Sequence, residues 1–202
     1  MKTLIIYNHP YEQSFCHAIL EACKRGLEKS RKESDVIELD KENFNPVMSK
    51  SDLKAFATAH SNPDEALSML DSKVIDYKNR LQQAEHIVFI FPIWWMLMPA
   101  LTKGFIDKVL FPGIAYNYDK EGRMRGTLSN IKQVTVITTM ASSAERYENS
   151  MGNAMWKALL HGTFETIGWN NCRWINFDRI KDSTAEQHNS WLQSIEKYFA
   201  EL

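Results

Sequence analysis

Three segments of the chain bring together residue types that could hold a charged or planar ligand. The first is Tyr7-Asn8-His9-Pro10-Tyr11-Glu12-Gln13-Ser14-Phe15. It follows a short apolar run and precedes a helical pattern, so it joins a strand to a helix. A helix start there would offer free N–H groups and the positive end of the helix dipole to a phosphate. Ser14 adds a hydroxyl and His9 a ring donor. A plain capped helix behind an exposed turn would use the same residues, and the segment alone does not separate the two. The second is Phe91-Pro92-Ile93-Trp94-Trp95-Met96-Leu97-Met98-Pro99-Ala100. A planar ring system needs a flat apolar wall with backbone groups for its polar edge, and this loop can supply both. Adjacent tryptophans can also fill a core or a subunit interface. A ligand site is preferred because open parallel sheets bind ligands beyond the carboxyl ends of their strands. The third, Thr138-Thr139-Met140-Ala141-Ser142-Ser143, brings hydroxyls and N–H groups to another strand end. It is the weakest alone, since Thr and Ser favour turns.

The elements that must position these segments can be read from periodicity. Lys2 to Tyr7 reads as a strand buried on both faces, and Asp35 to Leu39, His86 to Phe91, Val134 to Thr138 and Cys172 to Phe177 as four more. A helix capped by Ser14 carries Phe15, Ile19, Ala22 and Leu27 near one face. Residues 41 to 62 read as irregular, with a turn at Asn45-Pro46. One helix is expected from Pro63, capped by Asn62, with Leu67, Leu70, Val74, Tyr77 and Leu81 in its stripe. Pro99 opens another, with Leu101, Phe105 and Val109 aligned. Residues 150 to 167 form a further helix. The last is capped near Ser183 or Thr184 and buries Trp191, Ile195 and Phe199. Strands alternating with helices predict an α/β fold with a parallel sheet covered on both faces. No linker or internal repeat interrupts residues 1–202, so one domain is expected.

Composition narrows the class. The 202 residues carry a formal charge of −1, which gives no electrostatic footprint for nucleic acid. Three cysteines, Cys16, Cys23 and Cys172, fit no disulfide framework and point to a reducing, cytoplasmic setting. The longest apolar stretch, Ile87 to Leu101, contains two prolines and falls short of the ~20 residues of a spanning helix. The six histidines are scattered, so no metal site is expected. Glycine-rich dinucleotide and phosphate-loop motifs are missing, as are the hydrolase and metalloprotease signatures.

Taken together, Leu4 to Leu20 and Phe91 to Tyr118 resemble the flavin-dependent NAD(P)H:quinone oxidoreductases of the flavodoxin-like fold. Their relatives include modulators of drug activity and ancillary subunits of potassium efflux systems. The resemblance rests on His9-Pro10 with Ser14-Phe15, and on Phe91-Pro92-x-x-Trp95-x-x-x-Pro99-Ala100-x-x-Lys103-Gly104-x-x-Asp107-x-Val109. It continues through Phe111-x-x-x-Ala115-Tyr116-x-Tyr118 and includes Phe44-Asn45-Pro46. It implies a five-stranded parallel sheet of order 2-1-3-4-5 with helices on both faces. It also implies a hydride passed from NAD(P)H through bound flavin to a quinone or similar acceptor. His9, Ser14, Phe15, Cys16 and Ala18 match positions around the flavin phosphates and ribityl chain. Pro92, Ile93, Trp94, Trp95 and Met96 match the loop along the isoalloxazine, and Thr138 and Thr139 the pair after the fourth sheet strand.

Tyr116 and Tyr118 match aromatics that enter a partner's site, implying a homodimer with shared sites. Trp95, Met96, Tyr116, Tyr118 and Met140 would face the substrate. The long second connection favours FAD over FMN. The chain departs from the family at Cys16, often Asn, and at Met140-Ala141, usually two glycines; Met140 is expected to narrow the space over the ring unless it turns into the core. Tyr147 is the candidate catalytic tyrosine, on a loop one residue longer than the family's. Asn153 stands where the animal enzymes carry a catalytic histidine. A flavin-binding regulatory subunit of a membrane transporter is the alternative, as is a flavodoxin-type single-electron carrier.

Overall fold

The computed structural model describes all 202 residues. Five parallel strands form the sheet: β1 (Thr3–Tyr7), β2 (Ser34–Glu38), β3 (His86–Pro92), β6 (Gln133–Thr139) and β7 (Cys172–Phe177), in the order β2-β1-β3-β6-β7. Counted within the sheet, this is the expected order 2-1-3-4-5. Two three-residue strands, β4 (Tyr116–Tyr118) and β5 (Met124–Gly126), make a separate antiparallel hairpin. The central strands are buried because helices cover both faces: every residue of β1 and β3 is buried. Alternate residues serve opposite cores. Leu4 and Ile6 join a 36-residue cluster, Ile5 and Tyr7 a 14-residue one, so the two sides are unequal in depth.

The smaller core lies under α1 (Phe15–Lys29) and α7 (Ala185–Ala200). Ser14 caps α1 by accepting from His17 N, and Thr184 caps α7 by accepting from Gln187 N. The two helices approach closely at Gly26, where a Cβ would lie 2.4 Å from Glu196 O. The larger core lies under α2 (Lys50–Thr58), α3 (Pro63–Ser68), α4 (Ser72–Gln83), α5 (Ala100–Val109), α6 (Ala144–Asn149) and a π-helix, Met155–Glu165. In the π-helix the Thr163 hydroxyl reaches back five residues to Ala158 O, at 2.8 Å.

Several expectations are corrected. Residues 41 to 62 contain α2, held by a reciprocal cap between Ser49 and Asp52. The single helix expected from Pro63 is two, because Asp71 starts a new one by accepting from Lys73 N. The region 150 to 167 holds a π-helix only over Met155–Glu165, after the separate short α6 (Ala144–Asn149).

Two devices fix α5, which carries the Lys103-Gly104 motif. A Cβ at Gly104 would sit 2.2 Å from Pro46 Cβ, so glycine lets the Phe44-Asn45-Pro46 turn lie directly on the helix. Lys108 then reaches the same turn, donating to Asn45 O at 3.3 Å and Val47 O at 3.4 Å. It also pairs with Asp52 at 3.3 Å, with both side chains almost fully buried.

Candidate active site

Strand register brings the three chemically interesting segments to one edge. Tyr7 pairs with Ile90, and Pro92 with Thr139, so β1, β3 and β6 end side by side. Ile93 N donates to Thr139 O at 2.8 Å, extending that alignment into the loops. Cys16 Sγ lies 3.3 Å from Thr139 Oγ1 and joins the start of α1 to the end of β6. The His9 and Trp94 rings meet edge to face at 6.5 Å.

The first segment contains both a ring donor and free amides. Tyr11 N–H donates to His9 Nδ1 at 3.1 Å, which leaves Nε2 to carry the proton of the neutral ring. Burial lowers the His9 pKa below the usual imidazole value, against a partial opposing pull from Asp40. The first-turn amides of Phe15 and Cys16 have no acceptor in the chain, as expected at a helix start. Ala18 is half-buried one turn on. Cys16 is 1% exposed and burial pushes its thiol up to about 12, so it is a neutral packing group there.

Asn8 was not singled out by its sequence position, yet it ties three elements together. Its Oδ1 accepts from Thr102 N and Oγ1 at 3.2 and 2.8 Å, its Nδ2 donates to Asp40 at 2.8 Å, and its N–H donates to Ile90 O. An asparagine in a turn carries no such signal, because both side-chain partners lie far off in sequence.

The second segment is a tight turn. Trp94 N–H donates to Leu97 O at 2.9 Å and Leu97 N–H returns to Trp94 O at 3.2 Å. Trp95 sits in left-handed backbone with φ 57° and is 98% exposed, while Trp94 is half-exposed. The amides of Trp95 and Met96 have no acceptor in the chain. Pro92 and Ile93 are buried beneath them.

The two threonines divide between the faces. Thr139 turns to Cys16, whereas the Thr138 hydroxyl donates to Asn176 Oδ1 at 2.8 Å and accepts from Trp174 Nε1 at 2.9 Å. Met140 is 5% exposed and belongs to the larger core, with its N–H on Phe177 O. Its side chain turns inward to the core, and little of its surface is left to narrow a site. Ala141 is exposed and its amide has no acceptor in the chain. Tyr147 is 1% exposed with its hydroxyl bonded on both sides, to Met96 O and Met155 N.

Tyr116 and Tyr118 lie on the hairpin, their rings 5.6 Å apart, with His60 6.3 Å beyond Tyr118. Burial and the neighbouring Tyr118 hydroxyl raise the Tyr116 pKa. A cavity of about 450 Å³ opens between the hairpin, α5 and the π-helix, lined in part by Leu97, Met98, Tyr116, Met124, Leu159 and Ile167. Tyr116 and the tryptophan turn therefore border one space.

A parallel sheet of this order, with its loops converging at the strand ends, defines the class. The chain belongs to the flavodoxin-like fold family, whose model matches residues 1–200. It is 29% identical over 182 residues to an uncharacterized NAD(P)H oxidoreductase of Haemophilus influenzae, covering 89% of this chain and 85% of that one. It is 28% identical over 183 residues to the ribosyldihydronicotinamide dehydrogenase [quinone] of Mus musculus, covering 83% and 77%. The NAD(P)H:quinone oxidoreductase from Methanothermobacter marburgensis shares the fold, with a TM-score of 0.86 at 23% identity over 99% of this chain and 98% of that one.

Proposed function

We propose that this chain is an NAD(P)H oxidoreductase that uses bound flavin to reduce a quinone or similar small acceptor. One observation carries the reading. The exposed, left-handed Trp95 lies in the turn after β3, and the loops at the aligned strand ends carry five amides without acceptors, those of Phe15, Cys16, Trp95, Met96 and Ala141. Such a set fits a flavin: helix-start amides suit its phosphate, and loop amides suit the polar edge of its ring. The names of the sequence relatives support the same chemistry.

In this reading His9, Ser14, Phe15, Cys16 and Ala18 surround the phosphate and ribityl chain. Residues Pro92 to Met96 run along the ring, and Thr138 to Ala141 contribute backbone groups. A bound flavin supplies a two-electron relay between NAD(P)H and the acceptor. The chain's own part is to bind, to orient and to aim N–H dipoles at charge that develops on the ring. FAD is the preferred form, from the long second connection. Residues 1–202 act as one domain in a reducing, cytoplasmic setting. No helix is long and apolar enough to cross a membrane. Two copies share their sites, with Tyr116 and Tyr118 facing the partner's substrate.

The purified protein should be yellow with about one flavin per chain, and mass spectrometry of the released cofactor identifies it as FAD or FMN. A colourless protein that binds neither on addition overturns the reading.

A further inference from the structure

The Tyr147 hydroxyl has no proton to spare. It donates to Met96 O at 2.6 Å and accepts from Met155 N–H at 2.9 Å. A phenol has one proton to give, and this one is committed to a backbone carbonyl. Burial raises its pKa and opposes ionisation. Both partners matter. Met96 lies within the Trp94–Leu97 turn, whose own bonds join only Trp94 to Leu97. Trp95, in the same turn, holds the left-handed conformation that a large side chain adopts at a cost of ~1–3 kcal/mol. Such a turn needs outside support to persist. Met155 opens the π-helix, and its N–H would otherwise be one of the unpaired donors of a helix start.

The tyrosine is itself held from two sides. Its carbonyl accepts from Asn153 N–H at 3.1 Å, and its ring meets Trp174 edge to face at 6.0 Å. Trp174 Nε1 in turn donates to Thr138 Oγ1 at 2.9 Å. A continuous line of contacts therefore runs from the end of β6 through Trp174 and Tyr147 to the tryptophan turn.

We propose that Tyr147 is a positioning residue and not a proton donor: its hydroxyl fastens the Trp94–Leu97 turn to the head of the π-helix and so sets the stance of Trp94 and Trp95. The effect on acceptor binding rests on the proposed flavin and acceptor site; the fastening does not.

Tyr147→Phe removes a single oxygen and keeps the ring. In the flavin-loaded protein, hydrogen exchange over residues 93–98 and 153–157 should quicken about tenfold, since both bonds are lost, while β1 and β3 stay unchanged. The acceptor KM should rise about fivefold with kcat within about twofold, as when binding geometry alone is disturbed. The pH profile of kcat should keep its shape. A kcat loss of about tenfold at constant KM, with one limb of the pH profile gone, would make Tyr147 a proton donor. Unchanged exchange in both segments would show that nothing is fastened. Should the variant not fold, the unaltered flavin-free protein still decides: the Met155 amide should exchange far more slowly than the amides of Trp95 and Ala141, which have no acceptor in the chain, and equal rates overturn the proposal. If the protein reduces no acceptor at all, the functional reading fails while the exchange results still decide the fastening.

Discussion

At the scale of single residues, His86 shows how a buried group ties stability to pH. It is fully buried at the start of β3, with Nε2 2.8 Å from Thr135 Oγ1, Nδ1 without a partner, and its ring stacked on Phe199. Burial lowers its pKa from 6.5 to about 4, and the nearby Lys32 ammonium pushes the same way. The folded value is the lower one, so the unfolded chain binds the proton more readily. Stability is then complete above about pH 6.5 and falls as the pH drops towards 4. Between those limits the loss is about 3 kcal/mol. Urea unfolding at pH 7 and pH 4.5 should show this extra loss in the natural chain and not in His86→Leu; parallel slopes would contradict it. The same scale marks where sequence reading ran out. His9, Ser14 and Trp95 could be singled out because their neighbours in sequence define their setting. Asn8 and Met140 could not be placed, since what surrounds them comes from β2, α5 and β7.

Elements were legible where their pattern was strong and hidden where tertiary contacts make them. All five sheet strands can be read from their apolar runs, with no end shifted by more than one residue. α2 could not, because it buries only Asp52 and Ala55 and shows no stripe. The break between α3 and α4 was masked by apolar spacing that continues across it. The hairpin strands have three residues each, too few for any period. The π-helix keeps an apolar face, so its wider turn is invisible to a count of spacings. The Lys108–Asp52 pair belongs to this scale, since it clamps α2 to α5. Burial would raise the Asp52 pKa, but bonds from Ser49 and Lys108 outweigh that and hold it below the usual carboxylate range. Removing one partner of such a pair leaves the other charge buried alone and costs ~3–5 kcal/mol. Lys108→Met should therefore lower the urea midpoint strongly. It should also loosen the Asn45–Val47 turn in hydrogen exchange, and an unchanged midpoint would show the pair to be dispensable.

At the scale of the whole molecule, the cavity beside Tyr116 is bordered by Phe56, Leu97 and Met124, which are 46%, 43% and 39% exposed. Side chains of this kind gathered on one face suit a second copy of the chain. Sedimentation at micromolar concentration should give a species of twice the 23.4 kDa chain mass. Tyr118→Ala should weaken acceptor use more than flavin retention. A fully active monomer would contradict the proposed sharing of sites.

The meeting of α1 with α7 has a consequence for how the chain is made. Ile19, Cys23 and Leu27 of α1 are buried in the smaller core with Ile195 and Phe199 of α7, and Arg25 and Lys29 both pair with Glu196. Helix α1 thus leaves the ribosome well before α7, the partner it packs against. At ~5–20 residues per second the interval is on the order of ten seconds or more. Throughout it an oily seam lies open, and a transcript cut short before residue 185 would release a chain whose seam never closes. Such fragments are natural clients for chaperones and proteases, and expression trials of shortened versions should find them in the insoluble fraction.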